Sequence, residues 1–311
     1  LIIVNTFYIF FTIYMILKKK IIIIYQPWRK FSEGLHQPMI ENLKKLGLKV
    51  EFLEVENPPK FQNKNWADKL KNIYHRIVKK DKTYIYVAEK NHYNRFNLEK
   101  LKLFKNQKFD FILIIKPDEF TPKFIKKASE LGEITAGYIW DGIRPFFLES
   151  LHKSRKYFKY LYSFDQNDIK KFPELKMDFL TNYYVFDENR ENYNTKELDL
   201  YYIGALGGKL PEQRRDLLLE KLLKNFTGKT EVKIHLEKNF LLNEAEKLKN
   251  PKIEYIYDYV SYHEAMEKTK SSKIVIDIRK KHHIGLSFRF FECMYYEVKL
   301  ITDNETVKNY D

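Results

Sequence analysis

Short unbroken apolar runs alternate with amphipathic stretches along most of this chain. KKIIIIY (19–25) is a continuous β-branched run, the pattern of a strand buried on both faces. A loop with Pro27 and Gly34 follows, then helical spacing over 36–47 that closes on Gly47. Strand patterns return from Leu48 (LKVEFLEVE), at 108–118 (KFDFILIIKPD), 133–141 (EITAGYIWD) and 161–165 (LYSFD). Between them, 62–107 is charged and helical in character, and 121–132 opens on Thr121-Pro122 as N-cap and first turn and ends at Gly132. The stretch 150–160 is amphipathic, and 168–175 predicts a short helix.

Residues 187–198 are polar and poor in apolar side chains, and predict a domain boundary. A second series starts at once. A strand with its glycine loop is expected over 199–208 and further strands at 230–237, 251–258, 272–278 and 298–303, with helices over 213–226, 260–270 and 285–296. The expected organisation is an extension at 1–14, an N-terminal Rossmann-like domain over 15–190 and a C-terminal one over 196–311. The predicted fold class is α/β, two doubly wound sheets facing a cleft. Ligands of such sheets bind beyond the carboxyl ends of the strands, so residues just after strands are the ones to weigh.

Three such places carry chemistry. In DIRKKHHIGLSFRFFECM (277–294) a strand ends and a helix begins. The N–H groups of Gly285, Leu286 and Ser287 would be uncapped donors at a helix N-terminus, a setting suited to a diphosphate. Gly285 permits close approach, Arg289 can hold a phosphate oxygen, and Glu292, more than a turn further on, can accept from a ribose diol. The plain alternative is a turn, an N-cap and a surface i,i+3 pair. In YYIGALGGKLPEQRRDLL, Gly204, Gly207 and Gly208 follow a strand while Arg214 and Arg215 open a helix. That is either a second phosphate-facing loop or a solvated one. In YIWDGIRP and YSFDQND, Asp141 and Asp165 sit at strand ends. Asp141 is a candidate general base and Trp140 a candidate platform for a sugar ring, with Asp165 beside them on the acceptor side. Helix capping and turn formation are the plain alternative for both aspartates. His282 and His283 are adjacent, so they do not form a chelating face, and no metal is expected.

Composition narrows the field. A formal charge of +14 and a pI of about 9.3 suit nucleic acid, anionic membrane surfaces or phosphorylated substrates, although the lysines are spread along the chain. The single cysteine, Cys293, excludes an internal disulfide and a cysteine-based zinc cluster. Residues 1–17 are nearly all apolar and run into Lys18–Lys20. Residues 1–14 are read as upstream or disordered sequence before a natural start at Met15, with a membrane anchor over 1–17 as the alternative.

The stretch SKIVIDIRKKHHIGLSFRFFECMYYEVKLIT, with NETVKNYD after it, resembles the donor domain of bacterial capsule and lipopolysaccharide glycosyltransferases of the GT-B type. The shared pattern is a strand ending in Asp277, then Gly285-Leu286-Ser287, Arg289 and Glu292 on a helix, and Lys299 to Thr302. GYIWDGIR and YSFDQNDIKKF are similar to the acceptor half, and the likeness runs from Lys18 to Asp311. It implies sugar transfer from a nucleotide-sugar substrate to a glycan or lipid-linked acceptor, with no cofactor and no required metal. It also implies a cytoplasmic location at the inner face of the plasma membrane. Two departures stand out. Position 284 is Ile where retaining members often carry Glu, which leaves stereochemistry open, and the final helices of a GT-B fold are expected beyond Asp311. The rival readings are a non-catalytic nucleic-acid or polyanion binder and a nucleotide-sugar epimerase of similar architecture.

Overall fold

A computed structural model describes residues 19–25, 36–54, 66–80, 84–188, 190, 195–208, 210–236, 242–243, 247–280 and 283–310. The apolar stretch 1–17, the loop with Pro27 and Gly34, and His282 lie outside the described residues, as does much of the polar stretch 187–198. Among the described residues, those up to Tyr25 and from Leu43 to Thr181 form one compact unit. His36 to Asn42, with Asn182 onward, form another.

The first unit holds β1 (Lys20–Tyr25), β2 (Lys49–Glu54), β3 (Phe109–Ile115), β4 (Gly132–Ile139), β5 (Tyr160–Ser163) and β6 (Asp178–Phe179). They form one sheet in the order β2-β1-β3-β4-β5-β6, and every pairing is parallel. Helix α1 (His36–Lys45), of which His36 to Asn42 belong to the second unit, precedes β2 in the chain, and α2 (Trp66–Ile77) and α3 (Tyr84–Leu101) precede β3. Helices α4 (Pro122–Ser129), α5 (Leu148–Ser154) and α6 (Gln166–Lys171) fill the later crossovers. The β-branched runs do what their pattern predicts: Ile22, Ile24, Ile112 and Ile114 are fully buried and pack on Phe120, Phe124 and Ile125. Thr121 caps α4, its hydroxyl accepting from the Phe124 amide at 3.3 Å, with Pro122 in the first turn. Gly132 is a correction. It begins β4 and does not end the helix, because a side chain there would stand 2.6 Å from the Phe109 carbonyl oxygen.

The second unit repeats the grammar with β7 (Leu198–Ala205), β8 (Thr230–His235), β9 (Glu254–Ile256), β10 (Ser272–Asp277) and β11 (Lys299–Thr302). Their order is β11-β10-β7-β8-β9, again all parallel. Helices α7 (Arg215–Leu223), α8 (Tyr262–Lys270) and α9 (Phe288–Tyr295) complete it. One face of the sheet buries Tyr202, Leu219 and Ile234, the other Tyr201, Val275 and Cys293. Strand order reverses between β1 and β3 in the first unit and between β7 and β10 in the second. Open parallel sheets present ligand sites beyond the strand ends at such reversals.

Candidate functional site

In the second unit the reversal brings two of the sequence candidates together. Strand β10 ends on Asp277. Ser287 occupies the N-cap position of α9, but its side chain does not cap the helix. Its hydroxyl donates to Asp277 Oδ2 at 2.8 Å. The helix starts at Phe288, so Gly285 to Ser287 form the approach loop and not its first turn. That loop is anchored through its carbonyls. Asn304 Nδ2 donates to the Ile284 and Gly285 oxygens at 3.2 Å, Thr306 Oγ1 donates to the Ile284 oxygen at 2.7 Å, and Asn182 Nδ2 donates to the Leu286 oxygen at 3.0 Å.

Arg289 lies on the first turn of α9 with its side chain only 18% exposed, and its Nη1 is 3.8 Å from Asp277 Oδ1. That separation is an ion pair and too long for a hydrogen bond. Among the described residues nothing accepts a hydrogen bond from this guanidinium. Glu292, one turn on, is buried, and its Oε1 accepts from the Tyr262 hydroxyl at 3.0 Å. No described residue donates to its Oε2. Burial pushes the Glu292 carboxyl up to about 7, against the opposing pull of Arg289 and Tyr262. The surface-pair alternative for Arg289 and Glu292 therefore does not hold, since both side chains are largely buried beside Asp277.

The second glycine-and-arginine stretch meets this set from β7. Arg215 Nη1 donates to the Ala205 carbonyl at 3.3 Å, at the carboxyl end of that strand. The buried Tyr202 hydroxyl feels both Arg215 and Arg289, and burial raises its pKa. Two expectations need correction. Gly204 is inside β7 and not in a phosphate-facing loop. A side chain there would stand 2.4 Å from the Tyr202 hydroxyl, so the glycine is required for packing. Arg214 is held by Asp216, Nε to Oδ1 at 3.0 Å and Nη2 to Oδ2 at 2.5 Å, and Asp216 also accepts from Tyr255 at 2.7 Å. Its fork is engaged within the fold, which leaves Arg215 as the arginine aimed at the strand ends.

The first unit carries a different charged set at its own reversal. Lys116, immediately after β3, adopts a left-handed backbone (φ 54°, ψ 57°), unusual for a side chain of this kind. Its buried ammonium donates to the Gly142 carbonyl at 2.8 Å and the Asp141 carbonyl at 3.4 Å, and pairs with Asp118 Oδ1 at 3.4 Å. Asp168 Oδ2 accepts from the Ile143 amide at 2.8 Å, and Glu119 Oε1 lies 3.6 Å from Arg144. Lys90 sits 4.3 Å above the Phe147 ring. Ionisable side chains thus hold the loop after β4 at Asp141, Gly142, Ile143, Arg144 and Phe147. Burial drives Glu119 up to about 8, Asp168 up to about 6 and Lys90 down to about 8. None of Lys90, Lys116, Asp118, Glu119 or Asp168 stood out in the sequence.

The acceptor candidates fare unevenly. Asp141 is half-buried at the start of the clamped loop. Trp140 is not an open platform: it is buried, with Tyr25 and Tyr138 edge-on at 5.1 and 6.3 Å. Asp165 is fully buried and caps α6, its Oδ1 accepting from the Asn167 amide at 2.8 Å, so the capping alternative describes it.

No protein-family model matches the chain, and no curated protein sequence matches it. Solved structures do. A UDP-forming alpha,alpha-trehalose-phosphate synthase from Burkholderia xenovorans aligns over 92% of this chain and 84% of its own, with a TM-score of 0.55 at 11% identity. A UDP-GlcNAc 2-epimerase from Methanocaldococcus jannaschii, in complex with UDP-GlcNAc and UDP, aligns over 93% and 86%, with a TM-score of 0.49 at 15% identity. The likeness to the synthase is one of fold, and with the two parallel sheets it bears out the α/β, two-unit, GT-B-like class. No helix among the described residues is long and apolar enough to cross a membrane.

Proposed function

We propose that this protein is a glycosyltransferase. In this reading it moves a sugar from a nucleotide-sugar donor to a glycan or lipid-linked acceptor, in the building of cell-surface polysaccharide or lipopolysaccharide. The observation that carries the reading is Arg289. A largely buried guanidinium at a strand-order reversal, with no acceptor for its hydrogen bonds among the described residues, suits an anionic oxygen brought by a ligand. Asp277 keeps it charged and oriented, and Arg215 adds a second cation from the neighbouring strand end. Glu292 presents its second carboxylate oxygen to a ribose diol while Tyr262 holds the first.

The second unit then binds the donor and the first unit the acceptor. At the anomeric carbon the bond to the diphosphate oxygen breaks as the bond to an acceptor oxygen forms. The leaving diphosphate takes up negative charge, which the two arginines stabilise. Asp141 is the carboxylate that takes the acceptor proton, on a loop whose carbonyls Lys116 fixes. The cell-surface setting rests on the resemblance of residues 272–311 to capsule and lipopolysaccharide enzymes.

The test is calorimetry of UDP, GDP, CDP and ADP binding to the whole chain, beside Arg289→Ala and Glu292→Ala. UDP comes first because the fold-related synthase is UDP-forming. Saturable binding of one nucleotide, weakened at least tenfold by each change, supports the donor site. Salt-sensitive RNA binding with no nucleotide binding points to a polyanion binder, and release of an isomerised free sugar without acceptor points to an epimerase. Either result overturns the transferase.

A further inference from the structure

Helix α2 carries the largest apolar exposure on the described surface. Trp66 is 77% exposed, Leu70 45%, Ile73 52%, Tyr74 49% and Ile77 68%. At about 100° per residue, Trp66, Leu70, Ile73 and Ile77 fall within roughly 60° of arc, and Tyr74 lies about 40° beyond. His75 is on the opposite side of the helix and stacks on Tyr84 of α3 at 4.0 Å. The helix is therefore seated on the fold by one side and turns a continuous apolar stripe to solvent. Exposed single hydrophobic residues are ordinary, but a contiguous stripe on one helix marks an interaction surface.

The charges beside the stripe select what covers it. Lys69 and Arg76 line one edge and Lys71 stands beyond the other, all exposed. Lys79 and Lys80 follow, also exposed, and Asp68 is the only acidic residue between positions 66 and 80. A second copy of this helix would bring cations against cations along both edges of the seam. An anionic bilayer meets the same pattern well. The apolar stripe sinks to the level of the acyl chains, Trp66 and Tyr74 sit at the headgroup boundary, and the lysine and arginine stems extend to lipid phosphates. The formal charge of +14 on the whole chain draws it to such a surface from a distance.

We infer that α2 is an interfacial helix that docks the first unit on a membrane rich in anionic phospholipid. The helix belongs to the first unit and the nucleotide candidates to the second, and the test needs no donor.

The experiment is flotation of the whole chain with vesicles of phosphatidylcholine plus phosphatidylglycerol, against phosphatidylcholine alone. The variants are Ile73→Glu with Ile77→Glu, and Lys69→Glu with Arg76→Glu. All four side chains are exposed, and unchanged urea midpoints verify that the variants fold. The wild type is expected to float with anionic vesicles only, and less as salt rises. The apolar pair should lower partitioning at least tenfold, and the charge pair by roughly fivefold or more per site. Three outcomes overturn the inference. One is no flotation, and another is flotation that neither pair alters, which would assign binding to another segment. The third is a concentration-dependent dimer that Ile73→Glu with Ile77→Glu dissolves, with no lipid binding.

Discussion

Both units bury ionisable side chains where their strand order reverses, yet the two sets are wired differently. In the first unit the cation and one carboxylate turn onto their own backbone: Lys116 donates to Gly142 and Asp141, and Asp168 accepts from Ile143. In the second unit Arg289 stands 3.8 Å from its counter-ion and donates to no described residue, and Glu292 has one oxygen engaged. Burial and shifted pKa values are common to both, so neither property alone marks a ligand site. The distinguishing feature is the cation: Lys116 donates to backbone carbonyls, whereas Arg289 donates to no described residue. The carboxylates do not separate the sets, since both oxygens of buried Asp118 also lack a hydrogen-bond donor among the described residues. Lys116 thus clamps the loop that carries Asp141, and the second set is the one the proposed function assigns to a ligand.

The largest expected effect breaks the clamp. Lys116→Met leaves Asp118 buried without its cation and two loop carbonyls without a donor, which should cost about 3–5 kcal/mol. A large drop in the urea midpoint measures it. Loss of nucleotide binding with an unchanged midpoint would reverse the assignment of the two sets.

Arg289→Met is the matching test of the second set. A charge-assisted contact to a diphosphate contributes roughly 1.5–3 kcal/mol, so nucleotide affinity should fall about 10- to 100-fold by calorimetry. Ser287 still donates to Asp277, so the midpoint should move less than in Lys116→Met. Equal loss of stability in the two variants would mean that Arg289 is also structural.

A smaller effect separates the carboxyls by pH. The folded state raises Glu292 from 4.5 to about 7 and Glu119 from 4.5 to about 8, in both cases chiefly through burial. The folded protein therefore holds protons that the unfolded chain releases in these windows. Each contribution to stability is whole below about 4.5 and is lost as pH rises, through about 7 for Glu292 and about 8 for Glu119. Glu292→Gln should flatten the first decline and leave the protein more stable than wild type at pH 8, while nucleotide binding weakens. A midpoint-against-pH curve with the same slope as wild type would refute this.

How far the sequence discloses these two sets follows from the distances involved. Central parallel strands write themselves as unbroken β-branched runs, so the element order was legible, as was the Thr121-Pro122 start of α4. Gly132 was misread because a glycine required by close approach to a neighbouring strand is locally indistinguishable from one that ends a helix. Asp277, Ser287, Arg289 and Glu292 were legible because one strand end and one helix carry them all. Arg214 had a visible partner in Asp216, two residues away, that the glycine-loop reading overlooked. The clamp was not legible. Lys116, Pro117 and Asp118 read as the tail of the strand pattern at 108–118, and the carbonyls Lys116 secures lie 25 and 26 residues further on. Tyr262, 30 residues before Glu292, is hidden for the same reason.

That hidden tyrosine supplies the smallest and sharpest test. Tyr262→Phe removes one hydrogen bond to Glu292 Oε1 and leaves the ring in place. The bond favours the charged carboxylate, so its loss should raise the Glu292 pKa further above about 7. A ribose diol needs an acceptor, and the carboxylate accepts better ionised than protonated. Nucleotide affinity at pH 7 should therefore fall severalfold, and the pH at which it reaches half its maximum should move upward. Raising the pH to 8.5 should restore much of the loss in Tyr262→Phe and none of it in Arg289→Met. If Tyr262 only packed against α9, the deficit would be the same at every pH. Recovery at high pH is thus what distinguishes a carboxylate tuned for a ligand from one merely enclosed by the fold.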